Sequence, residues 1–311
     1  PGFALGLKNV GYDVVSTSNN HFDNRGGNGI DRTIDSLRKA NISHVGTLKY
    51  DEIIDLYAHN PIKINYIKEP QMGIVYARNA AVDYFLKSDF DALAFIDDDE
   101  WTSDIYWLEN LVKAMQASGA DIVTSDVLTI PENDNISWTT EALGRSKNSR
   151  NLAKTVKFYT GNVLIKRHVL ETIQPAFDER FALTGSSDFH FSLKCKNAGF
   201  RCVYTNQAPV YEIFPESRAK LRWFFLRGYR NGSGASRAEF FEGTNKLKTI
   251  LMLLLMSLIR LGRGIITMLK GLVTLNKGSL ALGIMRFASG LGTIAGMFNL
   301  TYEEYKTIHG R

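Results

Sequence analysis

Four consecutive carboxylates, Asp97-Asp98-Asp99-Glu100, end the stretch Asp91-Ala92-Leu93-Ala94-Phe95-Ile96. The apolar run Leu93 to Ile96 has the length of a short buried strand. Like charges packed this tightly repel, and in a folded site they raise one another's pKa unless a cation intervenes. Oxygen ligands at the end of a strand suit a hard divalent ion such as Mg²⁺ or Mn²⁺. The carboxyl ends of strands are also where open α/β sheets bind ligands. The run therefore predicts a metal site at the lip of a sheet. Taken alone, it also reads as a solvated acidic turn, because charge blocks are usually wet surface.

A turn of this kind needs a sheet with helical cover to hold it. Ile62 to Ile67 is strand-like, Glu69-Pro70-Gln71-Met72-Gly73 is a turn, and Ile74 to Leu86 carries a helical stripe through Ala77, Ala80, Ala81 and Phe85. After the acidic strand come a helix from Ile105 to Ala117 and a strand from Ala120 to Val127. This alternation predicts an α/β sheet, partly parallel and covered on both faces. Upstream, Phe3 to Val10 suits a helix, Tyr12 to Ser16 a strand, Gly29 to Ala40 a helix through Ile30, Ile34 and Leu37, and His44 to Thr47 a strand.

The 311 residues suffice for one large domain or two, and 44% apolar content can fill a core. Charged residues, at 22%, argue against wholesale disorder. The net charge of +5 is unevenly spread: acids gather before Glu100, while Arg and Lys crowd the region after Lys194. Cys195 and Cys202 fall in a predicted helix and the next strand without CxxC or zinc spacing, which predicts reduced core thiols of a cytosolic protein. The chain opens at Pro1 with no basic-then-apolar leader, the pattern expected of a fragment without a signal peptide.

Glu69-Pro70 with Gly73 and Ala77-Arg78-Asn79, then Phe95-Ile96-Asp97-Asp98-Asp99-Glu100 and Trp107-Leu108, stand in the order found in family 2 glycosyltransferases. Thr160-Gly161-Asn162 with Arg167, then Phe177-Asp178, Phe181, Thr184-Gly185, Asp188-Phe189 and Gly199 continue it. From Pro61 to Gly232 the chain resembles that family, and within it the bacterial exopolysaccharide transferases of the succinoglycan type. The resemblance implies a GT-A nucleotide-binding fold and inverting transfer from a nucleotide sugar. It implies that Asp97 lies on the nucleoside side with Asp98 beside it, that Asp99 contacts Mg²⁺ or Mn²⁺, and that Arg78 lies beside the nucleotide. A guanidinium suits phosphate or a base carbonyl. Gly161 and Asn162 would border the donor and acceptor sugars, and Glu212 would support the metal or the diphosphate.

Inverting displacement needs a base on the face opposite the leaving group. The resemblance gives that role to Asp188, although family members commonly show Glu-Asp where this chain has Ser187-Asp188. Asp188 would equally serve as a helix N-cap, and the two roles are compatible. His190, a lone histidine, is structural or acceptor-facing.

Residues 2–47, with Ser18-Asn19-Asn20-His21, resemble a fragment of the capsule and poly-γ-glutamate biosynthesis metallophosphatases. In that family Asn20 would bind metal and His21 would face phosphate, but the other ligands are missing, and one Asn with one His cannot hold a dinuclear site. The expected organisation is a metallophosphatase-like fragment, or a substitute for the first βαβ unit, over 1–50, a catalytic domain over 51–240 and an amphipathic helical tail over 241–311.

Arg218 to Arg230 reads as a helix with Trp223, Arg227 and Arg230 on one face, suited to a diphosphate or an anionic lipid headgroup. No nucleic-acid motif accompanies the charge, so nucleic acid is not an expected partner. Arg222-Trp223 is similar to a pair in processive synthases, but Ala219 replaces the expected Gln, and processive polymerisation is not inferred. The apolar runs Leu247 to Ile259, Ile265 to Leu275 and Leu280 to Phe298 suggest helices in a membrane interface, with Arg260 and Arg263 cutting the first run short of a span. A helical cap packed on the catalytic domain would show the same pattern.

The leading expectation is thus a metal-dependent hexosyltransferase, peripheral at the cytoplasmic face of a bacterial inner membrane. It would move sugar from a nucleotide-sugar donor to a saccharide or lipid-linked acceptor. A catalytically impaired fusion or scaffold, and a metallophosphatase using His21, are the alternatives.

Overall fold

The computed structural model describes residues 14–16, 43–45, 67, 69–97, 99–102, 105–143 and 150–302. The helices expected at 3–10 and 29–40, most of the strand expected at 62–67, the Asn20-His21 segment and Asp98 lie outside the described residues. Near the N-terminus, β1 (Val14–Ser16) pairs in parallel with β2 (Ser43–Val45), close to the two strands read there.

The main sheet has five strands. β3 (Ala92–Ile96) pairs antiparallel with β8 (Asn162–Lys166), and β8 antiparallel with β5 (Ile122–Thr124). β5 runs parallel to β9 (Cys202–Tyr204), and β7 (Ala153–Lys154) closes the edge antiparallel to β9. The sheet is mixed because β8 inserts between β3 and β5. A second sheet places β10 (Val210–Phe214) between β4 (Glu100–Thr102), antiparallel, and β6 (Val127–Pro131), parallel.

The period-2 alternation of buried strands sorts the core into two layers. Ile122, Val163 and Ile165 pack with Val75, Val82 and Phe85 of α1 (Ile74–Leu86) and with Val169 and Leu170. Val123, Leu164 and Val203 face the other way, onto Trp107, Leu111, Ala114 and Met115 of α2 (Trp107–Ser118). Both faces are covered, as the alternation of elements implies. The bounds of α1 match the sequence reading, and Gly119 at φ 65° stops α2 in the left-handed conformation that glycine adopts cheaply.

One expected strand is two. Residues 120 to 127 break at Ser125-Asp126, where the chain leaves the main sheet for the second. Both residues are buried and satisfied: Ser125 Oγ donates to Thr205 O (2.7 Å), Tyr204 OH donates to Asp126 Oδ2 (2.6 Å), and Val210 N donates to Asp126 O (3.0 Å). Buried polar groups need such partners, and here they come from residues about 80 positions away in the chain, beyond the reach of local pattern.

Further helices are α3 (Thr139–Leu143), α4 (Arg167–Thr172), α5 (Ser187–Asn197), α6 (Leu221–Glu242), α7 (Lys246–Val273) and α8 (Lys277–Met297). Cys195 in α5 and Cys202 in β9 are buried, as expected of core thiols. α6 runs past Arg230 to Glu242, and Arg218 lies in a preceding 3₁₀ turn. α7 does not stop at Arg260: that side chain turns to α8 and donates to Thr293 Oγ1 (2.6 Å). α6 and α8 approach so closely that a Cβ on Gly232 would collide with the Ser289 carbonyl, and one on Gly292 with that of Tyr229. α7 and α8 are both long and apolar enough to cross a membrane by length and composition. α7 nevertheless turns an apolar face outward through Leu251, Leu255, Leu258, Ile266 and Leu269.

Candidate active site

The acidic turn sits at the carboxyl end of β3. Ile96 is held by its pairing with Asn162 on β8, so Asp97 emerges at the sheet's lip. The turn closes on itself: Glu100 N donates to Asp97 O (3.1 Å) and Asp97 N donates to Glu100 Oε2 (3.0 Å). Glu100 then opens β4, directly across from Glu212 on β10. Glu212 Oε1 accepts from Thr129 Oγ1 (2.5 Å) on β6.

Arg78 joins three elements at this lip. From the first turns of α1, its Nη1 donates to Ser187 Oγ (3.2 Å) and its Nη2 lies 3.8 Å from Asp97 Oδ1. Its Cζ stands 5.7 Å from the Phe177 ring centroid. Asn79 fixes the helix in register. Its amide donates to Phe177 O (2.8 Å) and accepts from Phe177 N (3.0 Å), a two-way pairing that ties α1 to the loop before α5.

Asp188 lies in the first turn of α5, next to the Ser187 that Arg78 holds. The N-cap position belongs to Ser186, in left-handed backbone (φ 67°), so Asp188 is not the cap; its Oδ1 accepts from Phe189 N (2.8 Å). A carboxylate there is favoured by the positive end of the helix dipole.

The electrostatics of the cleft are those of crowded acids. Loss of solvent, with the charges of Asp188 and Glu212, holds Asp97 above the usual carboxylate range, while Arg78 opposes the shift. Solvent still reaches 44% of that side chain. Asp99 is raised to about 6, first by desolvation, then by Asp97 and Glu212, with Arg218 opposing. Glu100, 7% exposed, is raised well above its ordinary value, again first by burial and then by Asp97. Tyr159 is raised by desolvation and by Asp188, with Arg227 opposing, which brings both charges to the same wall.

Among the described residues no three His, Cys, Asp or Glu side chains form a metal cage. A Mg²⁺-type ion does not require one: one or two carboxylates, with substrate phosphates and water, complete its octahedron. The donor set here is all oxygen, and Asp97, Asp99 and Glu100 are each displaced toward the neutral form. That is the deficit of positive charge that a divalent ion relieves. The residues fit such an ion.

Several expected site residues have other work. Asn162 is 1% exposed; its Oδ1 accepts from Trp107 Nε1 (3.1 Å) and its Nδ2 donates to Asp126 O (3.0 Å) and Ala208 O (2.7 Å). It pins α2 and the strand switch rather than facing a sugar. Gly161 is packed under the Glu100 carboxylate, where any Cβ would collide with Glu100 Oε1. His190, 1% exposed, stacks on Phe181 (4.7 Å) and bonds Glu242 through Nε2 (2.9 Å), so it is a packing residue. Burial holds its imidazole below the usual range. Arg230 is buried and Trp223 packs edge-on against Phe214 (5.0 Å), so the Trp223–Arg227–Arg230 face is not an open basic surface. Arg227 remains at the wall, 5.9 Å over Trp223. Glu212 lies directly across from Glu100 on the neighbouring strand. Sequence reasoning passed over Ser187, Tyr159 and the buried role of Glu100. Only Ser187, next to Asp188, carried a positional hint.

Residues 24–174 match the family model for glycosyl transferase family 2. The match enters the 1–50 segment and ends before Asp188. Over 178 residues the chain is 29% identical to the succinoglycan biosynthesis protein ExoM of Rhizobium meliloti (strain 1021), covering 57% of this chain and 56% of that protein. The chain thus spans about half the length of the curated relative it matches. The mannosyltransferase PcManGT from Pyrobaculum calidifontis, solved with GDP-Man and Mn²⁺, superposes with a TM-score of 0.52 over 92% of this chain and 86% of that one, at 16% identity. The shared fold is GT-A-like.

Proposed function

We propose that the chain is an inverting, metal-dependent hexosyltransferase that moves a sugar from a nucleotide-sugar donor to a lipid-linked saccharide in bacterial surface-polysaccharide biosynthesis. The observation that carries this reading is Arg78, whose guanidinium reaches Asp97 and Ser187 at once, so the donor-side acids and Asp188 line one cleft. The match to the glycosyl transferase family 2 model supports it, as do the succinoglycan role in ExoM's name and the GDP-Man and Mn²⁺ bound to PcManGT.

In this mechanism Asp97 and Arg78 orient the nucleoside diphosphate, and Asp99, with Glu212 behind it, would hold Mg²⁺ or Mn²⁺. When bound, the ion neutralises charge that develops on the leaving diphosphate. Asp188 accepts the proton of the acceptor hydroxyl as its oxygen bonds to the anomeric carbon and the bond to the diphosphate breaks on the opposite face. Tyr159 and Arg227 border that base. Residues 1–50, through the parallel pairing of β1 and β2, would complete the nucleotide side; 51–240 form the catalytic domain and 241–311 the tail.

The tail is assigned to a peripheral position on the cytoplasmic face of the membrane. From Gly243 to Leu300 the chain has seven Lys and Arg and no Asp or Glu, and α7 exposes its apolar face between them. That combination suits an anionic bilayer surface.

Calorimetry with a panel of nucleotide sugars and Mn²⁺ tests the reading. Binding of one donor by the wild type, lost in Asp99→Ala, is expected. Silence across the panel would leave the scaffold alternative.

A further inference from the structure

Glu100 looks misplaced for a solvent-facing acid: it is buried, across from another glutamate, and beneath a backbone. Three observations on different elements account for it. Its carboxylate accepts the Asp97 amide while its own amide donates to the Asp97 carbonyl, so the turn is bracketed from both ends. The carboxylate occupies the space that Gly161 leaves by having no Cβ, one residue before the start of β8. Its strand pairs with β10 so that Glu212 lies directly opposite and is itself tied to Thr129 on β6. Residue 100 thus fastens the turn to both sheets, its side chain through Asp97 N and Gly161 and its backbone through the pairing with β10. We propose that Glu100 and Gly161 form a lock that positions Asp97 and Asp99 for the ion and the nucleoside diphosphate, which makes Glu100 a positioning residue. This rests on the reading above for what is positioned, though not for the lock itself.

The lock makes the length and shape of residue 100 matter more than its charge. A glutamine keeps a carbonyl oxygen for the Asp97 amide, whereas alanine removes the acceptor and leaves an unfilled site, and an unmade buried hydrogen bond is costly. Gly161→Ala should act from the other side by evicting the carboxylate. Because both variants break one contact, their effects should not add.

Two measurements test this on the full chain. The first is hydrogen exchange at the Asp97 amide without ligand: at least tenfold faster in Glu100→Ala and Gly161→Ala, and within about threefold of wild type in Glu100→Gln. Unchanged exchange in Glu100→Ala overturns the lock. The second is titration with Mn²⁺ plus UDP and with Mn²⁺ plus GDP. Glu100→Ala and Gly161→Ala should each weaken binding at least tenfold, the double variant no more than the worse single, and Glu100→Gln should restore it. Wild-type-like binding in Glu100→Ala, or a glutamine as poor as alanine, refutes the positioning role. If the wild type binds neither nucleotide, the proposed function fails while amide exchange still decides the lock.

Discussion

Asp99 shows how a residue's environment converts into a pH dependence. Burial, with the charges of Asp97 and Glu212, pushes its carboxyl from the ordinary 3.8 up to about 6. Between those values the folded chain holds more protons than the unfolded one, so this residue's contribution to stability falls as pH rises from about 4 to about 6. Mn²⁺ binds the charged form, so its affinity should drop as pH falls through about 6, and titrations from about pH 5 to about pH 7.5 should show the inflexion there. Asp99→Asn should flatten the profile. Asp188→Asn should leave donor binding intact while slowing transfer by about 10²–10⁴-fold, the usual contribution of a positioned base. Single-turnover assays separate the two steps, and near-normal transfer would remove Asp188 from the role. The acids themselves were legible from their position after an apolar strand. The burial of Glu100 and Asn162 was not, because each is enclosed by residues brought from elsewhere in the chain.

At the scale of elements, the helical period predicted α1 and the apolar run Leu93 to Ile96 predicted β3, since each pattern is local. The single strand expected from Ala120 to Val127 broke in two because its interruption is stabilised by Tyr204, Thr205 and Val210, which no local pattern contains. The α6–α8 contact sets a test of packing. In an isolated helix Gly232→Ala would stabilise by about 1 kcal/mol. Here the added methyl meets the Ser289 carbonyl, and overpacking of about 1–3 kcal/mol should win. Thermal unfolding should therefore show a lower midpoint for Gly232→Ala. The outward face of α7 sets another. Leu258 is 66% exposed and Ile266 68%, and Leu258→Glu with Ile266→Glu should release the protein from vesicles containing anionic phosphatidylglycerol. The doubly substituted protein should keep its fold by circular dichroism, and unchanged flotation would reject membrane docking through this face.

At the scale of the whole molecule, the five-stranded and three-stranded sheets, the acidic turn between them and the two-helix tail meet around α6 among the described residues. That helix meets the cleft wall at Arg227 and the tail along Gly232, while Arg237 holds the loop before α5 by donating to Thr184 Oγ1 (3.1 Å). By itself the sequence determined the α/β class, the acidic turn at a strand end, the order of motifs shared with family 2 glycosyltransferases and the apolar, positively charged tail. These are read from neighbours in the chain, where side-chain period and charge are set residue by residue. Only the tertiary structure decided which acids share one cleft, which motif residues hold the scaffold instead of facing it, and that Arg260 continues a helix rather than ending it. Each of those depends on partners tens of residues apart, and burial, which sets both pKa and hydrogen-bonding need, is a property of that assembly.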